Sequence, residues 1–114
     1  MSAGDLRERI AFEKREAGED DGYGNTEATW KVQFIVWAQV IPRLGGETVL
    51  AARLSGTQPY TIRIRSSSST RLITPEWRAR HERDGTIYNI RSIANPDMKD
   101  RYLDLLVDTG VASG

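Results

Sequence analysis

The strongest constraint on this chain is the alternation that runs from Trp30 to Ile41. Its even positions, Trp30, Val32, Phe34, Val36, Ala38 and Val40, are all apolar, while its odd positions, Lys31, Gln33, Ile35, Trp37, Gln39 and Ile41, are mixed. Successive strand side chains point to opposite faces, so the pattern predicts a long strand with one face fully buried. Pro42 has no amide hydrogen to give a ladder and ends it. Tyr60, Ile62 and Ile64 mark a second strand, Leu103, Leu105 and Val107 a third, and Ile10 with Phe12 a short one near the start. Asp84-Gly85 predicts a two-residue type I′ hairpin between a strand near 77–82 and one near 86–94. In the latter, Ile87 and Ile93 share one parity and Tyr88 and Ile90 the other, which predicts a β-bulge or burial on both faces.

Only Gly45–Gly56 reads as helical. Leu50 and Leu54 stand four apart as its only apolar stripe, with Glu47 in the first turn, Arg53 near the last and Gly56 placed as the residue after the cap. So short a helix depends on packing. The expected fold is mainly all-β: a small β-barrel or sandwich of five to six strands, one short helix and a long acidic, glycine-rich loop. That loop, residues 17–29, is too long for an ordinary hairpin connection. Residues 66–70 read as a flexible linker. With 114 residues the chain has material for one core, so a single domain is expected over 1–114, with flexible ends at 1–5 and 109–114. By parity Trp30 belongs to the core. Trp37 lies on the mixed face, covered by the helix or another strand, or else a subunit contact.

Residues that carry chemistry are scarce. There are no cysteines and one histidine, which excludes disulfides, thiolate zinc sites, thiol nucleophiles and multi-histidine metal sites. The neighbours of His81 predict an exposed strand end. The serines form no nucleophile elbow, and no phosphate loop or complete dinucleotide fingerprint occurs. Glu19, Asp20, Asp21, Asn25 and Glu27 lack the ligand order of a calcium loop. No catalytic, cofactor-binding or metal-binding residue is assigned, and no enzyme activity is expected. The charged N-terminus is unlike a secretory signal, and no apolar run reaches the ~18 residues of a membrane span. A soluble intracellular protein with no membrane partner is expected.

Sixteen basic side chains balance sixteen acidic ones, which argues against a general nucleic-acid-binding surface. The balance is uneven along the chain: residues 1–29 hold four cations against eight acids, and residues 53–91 hold eight cations against three acids. One reading is a set of solvated faces. The other is self-complementarity, the acidic segment of one copy meeting the basic segment of the next.

The order of residues also resembles the phage head–tail joining family, also called head completion, adaptor or stopper proteins. The resemblance rests on Leu6, Arg9-Ile10-x-Phe12, the loop Asp20-Asp21-Gly22-Tyr23-Gly24-Asn25, Trp30, Val36-Trp37-Ala38, Val40, Pro42 and Gly46-Glu47. It continues through Thr61-Ile62-Arg63-Ile64-Arg65, Ile73, Gly85, Tyr88-x-Ile90, Ile93 and Arg101-x-Leu103-x-Leu105. It implies a small barrel with one helix, assembled as a ring of twelvefold or sixfold symmetry. The ring's implied neighbours are a portal or adaptor ring above and a tail completion or tail tube protein below. Packaged double-stranded DNA would pass through without sequence-specific binding, in a virion or phage-like particle assembled in the bacterial cytoplasm. No cofactor is implied. On this reading the loop from Asp20 to Asn25 faces the channel or an axial neighbour, and Trp37, Glu47, Leu50, Arg53, Arg63, Arg65, Arg78 and Arg80 are candidate subunit contacts. A different class remains open: a small barrel binding single-stranded nucleic acid or a peptide through aromatic residues interleaved with Arg63 and Arg65.

Overall fold

In the computed structural model, residues 6–20, 26–94 and 101–110 are described. Six strands, β1 (Glu8–Asp20), β2 (Thr26–Pro42), β3 (Thr57–Arg65), β4 (Arg78–His81), β5 (Ile87–Ala94) and β6 (Tyr102–Gly110), close into a barrel in the order β1-β2-β3-β6-β5-β4. Every neighbouring pair is antiparallel. Closure leaves the barrel wall no free edge, and the alternating inward residues fill the interior. Ile10, Phe12, Ala38, Ile62, Ile64, Ala79, Tyr88, Ile90, Leu103, Leu105 and Val107 form this core. Ile73 and Trp77 join it from the connection before β4. There the Trp77 ring meets Phe34, which in turn meets Phe12.

β1 and β2 outrun the barrel. β1 pairs with β4 only through residues 10–13, and β2 pairs with β3 only through residues 38–42. Past those points the two strands pair only with each other, as far as Asp20 opposite Thr26. Residues 14–20 of this ribbon span roughly 20 Å at about 3.3 Å per residue. The loop expected over 17–29 is therefore corrected: 17–20 and 26–29 are strand, and residues 21–25 lie outside the described residues. Nor is 109–110 a flexible end, since Gly110 pairs with Thr57. A Cβ at Gly110 would run into the Gly56 carbonyl oxygen, so only glycine lets β6 close here.

Several local expectations hold and others change. The register slips between Ile90 and Ser92, the bulge that the mixed parity of β5 predicts. The β4–β5 connection is longer than a two-residue turn. It spans residues 82–86, with the left-handed backbone at Gly85 (φ 76) and the Thr86 amide donating to Asp84. That backbone hydrogen bond, more than the nearby His81 and Arg83, holds the Asp84 carboxyl below its usual pKa. Residues 66–70 are an ordered turn: the Ser67 amide donates to Thr70 Oγ1, the Thr70 amide donates back to Ser67 Oγ, and Thr70 Oγ1 donates to the Arg65 carbonyl. A 3-10 turn over Thr70–Leu72 follows. His81 is buried rather than exposed. Its Nδ1 accepts from the Arg83 amide, leaving Nε2 to donate to Glu8 Oε2 at 2.8 Å.

The helix α1 (Glu47–Leu54) starts after Gly46 and stops where Gly56 takes φ 88. Its buried residue is Val49, while Leu50 is 58% and Leu54 81% exposed. The predicted stripe therefore faces away from the barrel. At 100° per residue, Glu47, Leu50, Ala51 and Leu54 share one side and Val49 stands nearly opposite. No helix among the described residues is long and apolar enough to cross a membrane.

Candidate functional site

Strand parity and register build the outer face of β1–β2–β3. Ala38 points inward opposite Ile64, so their chain neighbours Trp37 and Arg65 turn outward, and both line one hollow. Arg9 pairs with Trp37 across β1–β2, and its guanidinium lies 4.9 Å from the ring centre. Trp37 remains 50% exposed, with Ile35 also exposed on the same face. Among the described residues, neither the helix nor another strand covers it. Leu6, Arg7, Trp37 and Arg65 surround an open hollow of about 400 Å³. Exposed apolar surface flanked by cations is well suited to protein contact, because tryptophan and arginine dominate interface energetics.

The other singled-out cations divide into two kinds. Arg63 makes a bidentate pair with Asp104, at 2.6 and 2.7 Å, and Arg78 and Arg80 converge on Glu13 at 2.6 and 3.3 Å. Glu13 is buried, and Arg80 also reaches Glu82. Burial alone would lower the Arg80 pKa, but its hydrogen bonds to Glu13 and Glu82 outweigh burial and raise it. These three arginines tie strands of one chain together. Arg65 and Arg53 are exposed instead, with Glu47 and Leu50 on the outward side of α1. The arginines expected as subunit contacts thus divide: Arg63, Arg78 and Arg80 are tied within the chain, and Arg53 and Arg65 are exposed.

A second concavity, of about 540 Å³, opens where the ribbon leaves the barrel, lined among others by Lys14, Arg15, Trp30, Trp77, Arg78 and Arg91. Trp30 sits here under the Arg78 guanidinium, 4.5 Å away, and is not part of the buried core. Its even parity sets its side of the ribbon correctly, but no third strand lies opposite to bury it. Asp20 closes β1, while Asp21, Gly22, Tyr23, Gly24 and Asn25 lie outside the described residues.

Sequence reasoning missed Glu13 and Asp104 as the partners of the arginines, and Arg7 and Arg9 as neighbours of Trp37. Register alone brings these residues together, and the only available signal was the shared odd parity of Trp37, Arg63 and Arg65. Among the described residues, no group of three or more acidic or histidine side chains is arranged to hold a metal ion.

The described surface offers exposed apolar and cationic residues suited to protein contact. The model of the phage head completion protein family matches residues 1–110. The chain belongs to that family. Phage head completion proteins are structural, not enzymes, and their role is associated with the phage head. No curated protein sequence matches the chain. Solved structures share this fold, two of them as follows. One, in the virion of a native gene transfer agent particle, is 24% identical with a TM-score of 0.66, covering 95% of this chain and 97% of its own. The other, a Shigella flexneri 2a protein solved in solution, is 23% identical with a TM-score of 0.67, covering 100% of both chains.

Proposed function

We propose that this head completion protein is a connector subunit that forms a ring below the portal, joins head to tail and retains or gates packaged DNA. The observation that carries the reading is the surplus of apolar surface outside a finished core. The barrel is closed and filled, yet Trp37, Leu50 and Leu54 stay exposed, an arrangement that suits a subunit completed by neighbours. The likeness to a chain of the gene transfer agent virion supports a place in a phage-like particle. Copies of itself, a portal or adaptor ring above, and a tail completion or tube protein below are the partners of this reading. The acidic sequence from Glu19 to Glu27 suits the end of the ribbon that meets the channel, because like charge lets DNA slide past without adhering. Binding of single-stranded nucleic acid is less favoured, since Arg63, one of its two proposed phosphate contacts, is committed to Asp104.

The test is a particle preparation from cells lacking this chain. Heads that fill but lose DNA and carry no tails, restored by supplying the chain in trans, are expected. Normal yields of tailed, filled particles would overturn the connector reading.

A further inference from the structure

Two apolar features of the outer surface lie at opposite ends of the same strand. α1 packs at the Thr57 end of β3, where Thr57 Oγ1 donates to the Ala52 carbonyl at 2.9 Å. The hollow lined by Leu6, Arg7, Trp37 and Arg65 lies at the Arg65 end. The intervening stretch of β3 spans roughly 26 Å at about 3.3 Å per residue, so the helix cannot fold over the hollow of its own chain.

The two features are complementary. The outward stripe of α1 carries one acid, Glu47, followed by Leu50 and Leu54, and extends roughly 10 Å along the axis. Its one cation, Arg53, points to the flank, since six residues from Glu47 is a turn of 240°. The hollow offers the reverse: an apolar floor of Leu6 and half-exposed Trp37, with Arg7, Arg9 and Arg65 around it. Arg65 makes no side-chain hydrogen bond or ion pair within the described residues, so its charge is available to an incoming carboxylate.

We infer that the Glu47–Leu50–Leu54 face of α1 in one copy docks in the Leu6–Trp37–Arg65 hollow of the next. The leucines cover the Trp37 ring and Glu47 pairs with Arg65. The inference rests on the connector reading and deepens it by naming the two faces. Because the faces differ and sit far apart, the contact is heterologous: each copy offers its helix to one neighbour and its hollow to another. That contact closes into a ring when the rotation between copies permits.

The absence of cysteine makes cross-linking a clean test. Leu50→Cys and Arg65→Cys, each exposed, are prepared singly and together and oxidised both at high concentration in solution and within assembled particles. The mixed single variants are expected to give a 50–65 heterodimer, the double variant a ladder of multimers, and each single variant alone almost no dimer. Dimers of Leu50→Cys alone would mean that helix meets helix, and would overturn the inference. A charge exchange supplies the second arm. Glu47→Arg and Arg65→Glu should each weaken self-association at least about tenfold, and the double variant should regain most of it; no recovery would also overturn the pairing. Particles with the chain in a ring but no 50–65 link would refute this inference and spare the connector reading. Absence of the chain from particles would refute the connector reading, with the solution cross-link still deciding whether the two faces pair.

Discussion

The barrel wall and the ribbon are built from the same two strands, yet they obey different energetics. From Ile10 to Glu13 and from Ala38 to Pro42, β1 and β2 each have a second neighbour on the outer edge, and the inward side chains Ile10, Phe12 and Ala38 join the common core. Beyond that boundary the same apolar parity continues into Val32, which is 45% exposed, and Trp30, which rests on an arginine rather than in the core. A two-stranded hairpin is marginal by itself in water. The ribbon therefore relies on surface ties: Trp30 under Arg78, and Lys31 with Glu16 at 3.7 Å. Alternation reports which side a residue takes. What lies on that side depends on where the third strand ends.

The largest expected effect separates the two regions directly. Phe12 is fully buried and packs on Phe34, so Phe12→Ala should cost about 3–5 kcal/mol in chemical unfolding. Trp30→Ala removes a larger side chain from the ribbon, and should cost no more than about 1.5 kcal/mol, most of it cation–π and local packing. Equal costs would break the distinction and make the ribbon part of the cooperative core.

Glu13 sits at the boundary, where one buried carboxylate gathers Arg78 and Arg80. Glu13→Gln takes the carboxylate from Arg78 and leaves Arg80 with Glu82 alone. Breaking a fully buried pair costs about 3–5 kcal/mol, but these arginines are partly solvated, so about 2 kcal/mol is expected. Part of that loss should be recovered by Glu13→Gln with Arg78→Met in a double-mutant cycle. Additive single effects would mean that the triad does not act as a unit.

Much of this architecture was legible in the sequence. Six strands, one helix between Gly46 and Gly56 and the slip in β5 all follow from period and punctuation, which are local. The outward stripe of α1 was visible as Leu50 and Leu54, but its direction was not. Val49 wins the buried side because of where the chain leaves Pro42 and enters Thr57, a tertiary fact. The acidic stretch before Trp30 reads as a loop because strand propensity is low there. Pairing with the opposite arm of the hairpin overrides it as far as Asp20 and Thr26. The candidate surface was half legible: Trp37 stood out on a mixed face, while Arg9, Arg7 and Leu6 came beside it only through register.

Alkaline pH gives a probe confined to the barrel. Burial, reinforced by the nearby Tyr60 phenol and the Asp84 and Glu8 carboxylates, pushes the Tyr88 hydroxyl up to about 12. A raised pKa means that the folded chain keeps a proton which the unfolded chain loses near its ordinary value of about 10. Tyr88 therefore contributes fully below about pH 10, and its contribution fades as pH rises towards about 12. Near pH ~11.5 the loss should be about 1–2 kcal/mol, and Tyr88→Phe should flatten that part of the stability curve. An unchanged slope in Tyr88→Phe would show that the phenol is not held by the barrel interior.

The smallest expected change in stability belongs to the ribbon's far end. Replacing residues 20–26 by a two-residue Asn-Gly turn removes the outermost pair, Asp20 with Thr26, and preserves the pairing of Ala17 with Ala28. The excised stretch contributes nothing to the described core, which begins at Ile10 and Phe12 on this strand. A shorter connection also lowers the entropy cost of closing the hairpin slightly. Thermal unfolding should therefore move by no more than about 1 kcal/mol, as for other changes remote from packing. Function should respond quite differently if the ribbon's end meets DNA or an axial neighbour. Supplied in trans to cells lacking the natural chain, the shortened variant should restore few DNA-filled, tailed particles despite its unchanged fold. A melting transition several degrees lower would attach the ribbon's end to the folding unit, and normal particle yield would remove the ribbon from the joining or gating role.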